Sequence, residues 1–293
     1  MTAQRSGVLA AVCTVFCWAS AFAAVKIGLR EFSPLEMTFV RLVSASISLG
    51  LICLISKESL PKVKDLPAFA ALGLVGHALY SPVLSLGLTR VPASTASFII
   101  ASAPIFMVLI GRFTTIERMS FYAKIGMGVS LFGVAMVSLG RGGLDKFDWY
   151  AVIVVVAALL QASYSMGQRP MLQRYSGLQV ITFSAMFATL FLTPWAMPAW
   201  GKVTHGTLAP LLCTVYMGVV TTGIGYWTWA LAVKRLPVAK AGAFLYTVPA
   251  VAVFLAWLIL HETPQLLSVL GGVLIIGGVV LVQQLGQNMP IKE

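Results

Sequence analysis

Long apolar runs separated by short polar connections fill this chain. Most of the runs are close to 20 residues long, which is the length a helix needs to cross a hydrocarbon layer of about 30 Å. The pattern predicts an all-α integral membrane protein with ten spans. Their expected bounds are 7–29, 35–56, 66–88, 93–113, 119–139, 148–168, 177–199, 207–233, 238–260 and 264–285. The first run is too long, and is followed by too many others, for a cleaved signal peptide.

Proline, glycine and glutamate residues recur 145 positions apart, so that the chain consists of two similar halves. Pro92 and Pro237 are one such pair. The same spacing relates four further pairs: Pro104 and Pro249, Glu117 and Glu262, Gly126 and Gly271, Gly133 and Gly278. We therefore predict a first repeat over residues 1–142 and a second repeat over residues 143–293. With five spans in each repeat, the second repeat runs upside down relative to the first. Inverted repeats of this kind are typical of secondary transporters.

The composition is that of a membrane protein. Hydrophobic residues make up 59% of the chain and charged residues 10%, compared with roughly 25% charged in soluble domains. The mean hydropathy is +0.92. A net charge of +11 would suggest nucleic-acid binding in a soluble protein, but here the basic residues are spread among the loops. Most of the 20 Lys and Arg fall on the side of the N-terminus, which predicts that both termini are cytoplasmic.

None of the nine Asp and Glu residues lies in the interior of a predicted span. A proton-coupled exporter of cations usually places an acid there, so cationic substrates are disfavoured, although cation–π contact with Trp or Tyr would still hold one. The chain also has no paired carboxylates, no HExxH, no GxSxG and no P-loop, and its four cysteines lack metal-binding spacing. The sequence therefore predicts no enzyme, no cofactor and no metal site. Besides a transporter and an enzyme, a purely structural membrane subunit is the third class of function to consider.

Polar and aromatic side chains at mid-span depth are the candidates for a substrate site. They are Trp18, His77, Tyr80, Gln161, Tyr164, Tyr226 and Tyr246. Because such groups are costly in hydrocarbon, they should face the interior of the bundle. A mostly apolar pocket with a few polar groups suits a small molecule. Core packing explains any one of them equally well, and His77 fits a hydrogen-bonded structural residue better than a titrating one.

Pro104 and Pro249 fall in the middle of the fourth and ninth predicted spans. A proline inside a helix removes one hydrogen bond and frees a carbonyl group, which lipid tolerates only where the backbone faces protein or a cavity. We expect helix breaks at both prolines beside a central cavity, unless the kinks serve packing alone. Lys26 and Arg169 lie near opposite ends of spans one and six. They would either snorkel to the two interfaces or lie at the two mouths of one pathway.

Several motifs resemble the EamA-type domain of the drug/metabolite transporter superfamily. In the first half these are Trp18-Ala19-Ser20-Ala21-Phe22 followed by Lys26, then Ser33-Pro34-Leu35-Glu36 and Arg41. The intervals from Pro92 to Pro104 before Glu117, and from Pro237 to Pro249 before Glu262, fit the same domain. The second copy departs from the first, with Gln161 opposite Trp18 and Ser184 opposite Arg41.

The resemblance covers essentially the whole chain and implies ten helices in an inverted 5+5 arrangement. It also implies a cavity formed mainly by spans one, three, four, six, eight and nine, and alternating access without ATP. Within the superfamily the chain most resembles the bacterial YddG-type aromatic amino-acid exporters. This implies an inner-membrane exporter of amino acids or similar metabolites, with aromatic amino acids preferred. Because no acidic relay is present, we expect a facilitator rather than a proton antiporter.

Under this interpretation two groups of residues contact the substrate. Stacking surface would come from the rings of Trp18, Tyr80, Tyr164, Tyr226 and Tyr246. The polar end of the substrate would be contacted by His77, Ser97 and the carbonyl groups freed near Pro104 and Pro249. The expected partners are a small-molecule substrate and the lipid bilayer but no nucleic acid, and the protein should be a monomer or a weak homo-oligomer. The alternative is a proton-coupled exporter of drugs or cationic compounds on the same fold.

Overall fold

The computed structural model describes residues 3–114, 121–139, 148–236 and 238–282, and within these ranges it contains helices and no strand. We number the helices α1 to α10 and mark the halves of an interrupted helix a and b. They are α1 Ala3–Gly28, α2 Pro34–Ile55, α3 Val63–Leu88, α4a Ala93–Ile100, α4b Ala103–Thr114, α5 Phe121–Leu139, α6 Trp149–Leu172, α7a Gly177–Phe191, α7b Ala196–His205, α8 Leu208–Arg235, α9a Val238–Leu245, α9b Val248–Leu260 and α10 Leu266–Val280. Glu117, Pro237 and the end of the tenth predicted span lie outside the described residues.

Six helices of the described chain are long and apolar enough to cross a membrane, namely those numbered α1, α2, α3, α4, α6 and α8. A seventh span results if α7a and α7b, which are bent by 58°, are counted together. Three shorter apolar helices, Lys124–Val137, Val248–Leu260 and Leu266–Val280, occupy the positions of predicted spans five, nine and ten. The all-helical, multi-span prediction is therefore confirmed, and the count of ten crossings stays a prediction.

Two of the long helices begin with the same motif, 143 positions apart. At the start of α2, the Glu36 carboxylate accepts a hydrogen bond of 2.7 Å from the Ser33 N–H. At the start of α7a, the Gln179 side chain accepts from the Ser176 N–H at 2.8 Å, and the Ser176 hydroxyl accepts from the Gln179 N–H at 3.1 Å. These capping boxes satisfy backbone donors that a helix start leaves unpaired.

The helix breaks expected near the two mid-span prolines are present. The fourth helix is interrupted at residues 101–102, and Pro104 lies in the first turn of α4b. The ninth helix is interrupted at residues 246–247, and Pro249 lies in the first turn of α9b. A third break, at Pro194 in the bend of α7, was not expected. Proline fits the first turn of a helix, where its missing N–H would be unpaired in any case.

Two central helices each pack mainly on helices of the opposite half of the sequence. Helix α1 packs mainly on α8 and α9b, and α6 packs mainly on α3 and α4b. Helices α5 and α10 form the closest pair, in which Gly126 and Gly278 meet along one turn, and Gly133 and Gly271 along another. A Cβ atom at Gly133 would lie 2.6 Å from the Gly271 carbonyl oxygen. Small residues of this kind let two helix backbones approach closely.

Candidate functional site

Helices α3 and α8 each contain a π-helical turn, at Leu74–Leu79 and at Met217–Ile224. Such turns are rare, and they occur frequently at functional sites. A glycine immediately precedes the first turn, and another is the second residue of the second turn. A Cβ atom on Gly73 would overlap the backbone of α7a at Ser184, and one on Gly218 would overlap the backbone of α2 at Arg41. The two π-helical turns are therefore pressed against α7a and α2, where the predicted polar residues meet.

The first turn holds His77, which is 5% exposed. Its Nε2 atom lies 3.4 Å from the Ser184 hydroxyl, and its ring lies 5.1 Å from the Tyr164 ring in an edge-on arrangement. Ser184 also donates to its own helix, at 2.7 Å to the Val180 carbonyl. Ser184 therefore has a second hydrogen-bond acceptor in its own helix. For His77, the Ser184 hydroxyl is the polar group within hydrogen-bonding distance of its ring.

The second turn holds Thr222, which is 1% exposed and accepts from a charged side chain of α2. The Nη2 and Nε atoms of Arg41 donate to the Thr222 hydroxyl oxygen at 3.2 and 3.4 Å. Tyr80 and Tyr226 lie close enough to Arg41 to interact with it electrostatically. Arg41 was not among the predicted contact residues, but its guanidinium lies in the same cluster as Tyr80 and Tyr226.

Trp18 forms the aromatic wall of the cluster on α1. Its ring lies 5.2 Å from that of Tyr226 and 5.7 Å from that of Trp229. The indole Nε1 is buried and has no hydrogen-bond partner among the described residues. Close packing on α8 is possible because Gly225 carries no side chain, and a Cβ atom there would lie 2.9 Å from Nε1. Buried donors in proteins are nearly always paired, so this one points to an acceptor other than the residues that the structure describes.

Helix α6 completes the cluster. Gln161 lies within hydrogen-bonding reach of the Tyr226 hydroxyl, and Tyr164 does so with Ser184. Tyr164 is 2% exposed and its ring fills the space above Gly76, where a Cβ atom would overlap it. The structure thus gathers five of the predicted residues at one level, which are Trp18, His77, Tyr80, Tyr164 and Tyr226.

The other two predicted contact residues lie elsewhere. Ser97 on α4a is 2% exposed and donates at 2.6 Å to the Ser94 carbonyl of its own helix. Tyr246 lies at the break of α9 and packs against the main hydrophobic core. The contact of Ser97 and Tyr246 with the substrate stays a prediction.

Of the two residues proposed for the pathway mouths, Lys26 is in an ion pair. Its Nζ atom lies 3.8 Å from Glu262 Oε1, and Glu262 Oε2 accepts from the Ala93 N–H at 2.8 Å. This contact joins the end of α1 to the start of α4a and to the connection before α10. Arg169 is exposed at the end of α6. The Lys26 ion pair links these segments, and the placement of Lys26 and Arg169 at the mouths of a pathway stays a prediction.

A pocket of about 360 Å³ lies at the far end of the bundle, where the loop before α3 meets the loop before α7a. Its lining includes Lys62, Lys64, Asp65 and Arg174, and no residue of the aromatic cluster. Asp65 Oδ1 pairs with Arg174 at 2.7 Å and Asp65 Oδ2 accepts from the Tyr175 hydroxyl at 2.6 Å. Among the residues described, no group of three or more His, Cys, Asp or Glu could hold a metal ion.

Comparison with known proteins identifies the family. The model of the EamA-like transporter family matches residues 5–139 and again residues 148–283. The chain belongs to the EamA-like transporter family. EamA proteins are named as transporters rather than enzymes, and the six long apolar helices agree with a multi-pass protein.

Two relatives are similar over most of their length. A protein of Streptantibioticus cattleyicolor named "Probable terminal-alkyne amino-acid exporter" is 37% identical over 94% of this chain and 93% of its own. The uncharacterized inner membrane transporter YhbE of Escherichia coli is 28% identical over 93% of this chain and 89% of its own. A solved crystal structure is 20% identical with a TM-score of 0.62 and covers 97% of this chain and 98% of that one, which shows a shared fold. This EamA protein is therefore a multi-pass transporter of the inner membrane.

Proposed function

We propose that this protein exports amino acids across the inner membrane, with aromatic amino acids preferred, by alternating access at the cluster around Trp18, Arg41 and His77. The observation that carries the proposal is the meeting of aromatic rings and unmatched polar groups where the two π-helical turns cross α7a and α2. A relative 37% identical is named as an amino-acid exporter, which supports the substrate class. The cationic-drug alternative is disfavoured because Arg41 would repel a cation.

The mechanism follows from two inverted repeats, residues 1–142 and 143–293, which together would cross the membrane ten times with both termini in the cytoplasm. The pairing of α1 with α8 and α9b, and of α6 with α3 and α4b, supports this organisation. Rocking of the repeats would expose the cluster to each side in turn. The breaks at Pro104 and Pro249 would absorb the movement, because backbone hydrogen bonds are already missing there.

Uptake into liposomes tests the proposal. The full chain is reconstituted, and entry of labelled phenylalanine, tryptophan, alanine and leucine is followed with and without a proton gradient, against protein-free liposomes. We expect saturable uptake of the aromatic amino acids that does not need the gradient. Equal rates for all four would contradict the aromatic preference. Strict dependence on the gradient would contradict the facilitator, and uptake of none would contradict amino-acid export.

A further inference from the structure

The guanidinium of Arg41 is the feature that the fold leaves least satisfied. A guanidinium has five N–H donors in a planar fork. The Nε and Nη2 atoms of Arg41 both donate to one hydroxyl oxygen, that of Thr222, at 3.4 and 3.2 Å. One hydroxyl oxygen cannot satisfy the whole fork. Arg41 is only partly buried, so the remainder of the fork is open to a ligand.

The charge of Arg41 has no counter-ion in the part of the chain that the structure describes. The three ion pairs found there use Lys26, Arg174 and Lys202 as the cations. The charged residue closest to Arg41 along α2 is Glu36, and its carboxylate is held by Lys202 at 2.5 Å. The groups that interact with Arg41 electrostatically are the hydroxyls of Tyr80 and Tyr226. An unpaired charge at membrane depth is costly and typically marks a substrate pathway.

A second unmatched donor lies in the same cluster. Trp18 Nε1 is buried without an acceptor, and the Trp18 ring packs on Tyr226, which is itself near Arg41. Both unmatched groups, a cationic fork and an indole N–H, are donors. The ligand that complements them carries a negative charge and several acceptor atoms next to an aromatic or apolar body.

We propose that Arg41 binds the carboxylate of the transported amino acid, so that the substrate supplies the counter-ion which the described part of the chain does not provide. This rests on the proposed function and names the group of the substrate that is recognised. A planar guanidinium pairs with a carboxylate through two parallel hydrogen bonds, while the rings of Trp18, Tyr80 and Tyr226 border the rest of the ligand. The hydroxyl of Thr222, in the π-helical turn of α8, holds Arg41 in place. A substrate bound to Arg41 would therefore also affect the contact between α2 and α8.

Competition against the wild-type protein is the first test, since it requires no substitution. Uptake of labelled phenylalanine into liposomes is inhibited with 3-phenylpropionate, which keeps the carboxylate and lacks the ammonium group, and with phenylalaninamide, which lacks the carboxylate. Charge-assisted bonds of this type imply that the amide competes about 10- to 100-fold more weakly than phenylalanine itself. We expect 3-phenylpropionate to compete better than the amide. Equal inhibition by phenylalanine and by the amide would overturn the proposal.

Two variants separate substrate binding from a tie between helices. Arg41→Gln removes the charge and should raise KM for phenylalanine by about 10- to 100-fold and abolish the preference for the acid over the amide. Thr222→Val keeps the charge and removes the hydroxyl that Arg41 uses on α8, so it should raise KM less than Arg41→Gln does and keep the preference for the acid over the amide. If both variants lose uptake and the preference for the acid equally, Arg41 serves to connect α2 and α8, and the proposal is wrong. Unchanged KM and preference in Arg41→Gln would also overturn it.

The two proposals fail in different ways. If the wild-type protein takes up no amino acid, amino-acid export is wrong and the role of Arg41 falls with it. If the wild type transports phenylalanine but ignores the carboxylate, export stands and only the role of Arg41 is wrong. If Arg41→Gln is not recovered as a monodisperse protein, the wild-type competition decides between the two results.

Discussion

Two helix crossings in this protein share one backbone geometry. Gly73 lets α3 approach α7a at Ser184, and Gly218 lets α8 approach α2 at Arg41. In both places the glycine lies at the edge of a π-helical turn. The two glycines are 145 positions apart and the two facing residues 143 positions apart. The close approach is therefore a property that both halves of the chain have kept.

The side chains at the two crossings differ in charge. At the first crossing, His77 meets the Ser184 hydroxyl at 3.4 Å, and at the second, Arg41 donates to Thr222 at 3.2 Å. His77 and Thr222 are again 145 positions apart. One crossing supplies a cation and the other a neutral aromatic surface. A site between two such crossings can orient a molecule with one anionic and one apolar end, which a fully symmetric site could not do.

The largest effect should come from the shared geometry. Gly73→Ala and Gly218→Ala each place a Cβ atom inside the backbone of the facing helix, and overpacking of this kind costs about 1–3 kcal/mol or more. We expect a strong loss of folded protein, measured as monodisperse yield in detergent and thermal unfolding temperature. Gly128→Ala is the matched control, because no atom lies within 4 Å of its added Cβ. If the three variants behave alike, the two approaches are not what fixes the crossings.

Truncation at the neutral crossing should affect transport next most strongly. His77→Ala and Tyr80→Ala remove ring surface beside the proposed site, and loss of such an anchor weakens binding by roughly tenfold or more. Initial uptake rates of phenylalanine, normalised to protein in the membrane, measure this. Ser163→Ala on α6 is the control: its hydroxyl is exposed and bonds to its own helix at 2.9 Å, so it should change uptake little. Normal uptake in both ring variants would return His77 and Tyr80 to core packing.

A smaller and opposite pair of effects is expected at Trp18. Trp18→Phe keeps an aromatic ring and removes the buried N–H that has no acceptor, which relieves an unpaired donor worth about 1–3 kcal/mol. We expect the thermal stability of the free protein to stay level or rise, while KM for phenylalanine rises. Reduced stability with unchanged KM would mean that the indole serves packing, and that the N–H has no role in binding.

Much of this arrangement could be predicted from the sequence, and particular parts could not. Hydropathy gives the depth of a residue in the membrane, which is why Trp18, His77 and Tyr226 were placed at one level and are found together. Hydropathy does not give the rotation of a helix about its own axis, because a helix that is apolar on all sides shows no preferred face. Ser97 and Tyr246 have suitable depth as well, but Ser97 donates to its own helix and Tyr246 packs on the main hydrophobic core.

Arg41 lies inside the predicted second span, seven residues after the start of α2, but it was not among the residues predicted to contact the substrate. Its role depends on a contact with Thr222, 181 positions away in the sequence. The π-helical turns were also not predicted, since one extra residue in a turn leaves no mark on a uniformly apolar run. The offset of 143 positions that joins Arg41 to Ser184 was visible in the sequence, and it is the signal that could have drawn attention to both.

The smallest expected effect on stability concerns the first turns of α2 and α7a. One of these capping boxes uses a charged residue and the other a neutral one. Glu36 caps α2 and also pairs with Lys202 at 2.5 Å, whereas Gln179 caps α7a and donates at 2.7 Å to the Ser59 carbonyl. Glu36→Gln keeps an acceptor for the backbone and loses only the ion pair with a half-exposed lysine, so it should cost no more than about 1 kcal/mol.

Thermal unfolding of Glu36→Gln, Lys202→Gln and the double variant measures that ion pair as a coupling energy. A small coupling that fades at high salt is expected, because exposed ion pairs are screened. A coupling of several kcal/mol would mean that Glu36 and Lys202 hold the end of α2 in place as a unit. The charge of Glu36 would then be part of the scaffold, and the difference between the starts of α2 and α7a would reflect folding. Arg41 has no part in that ion pair, so its role would still be decided by the uptake tests.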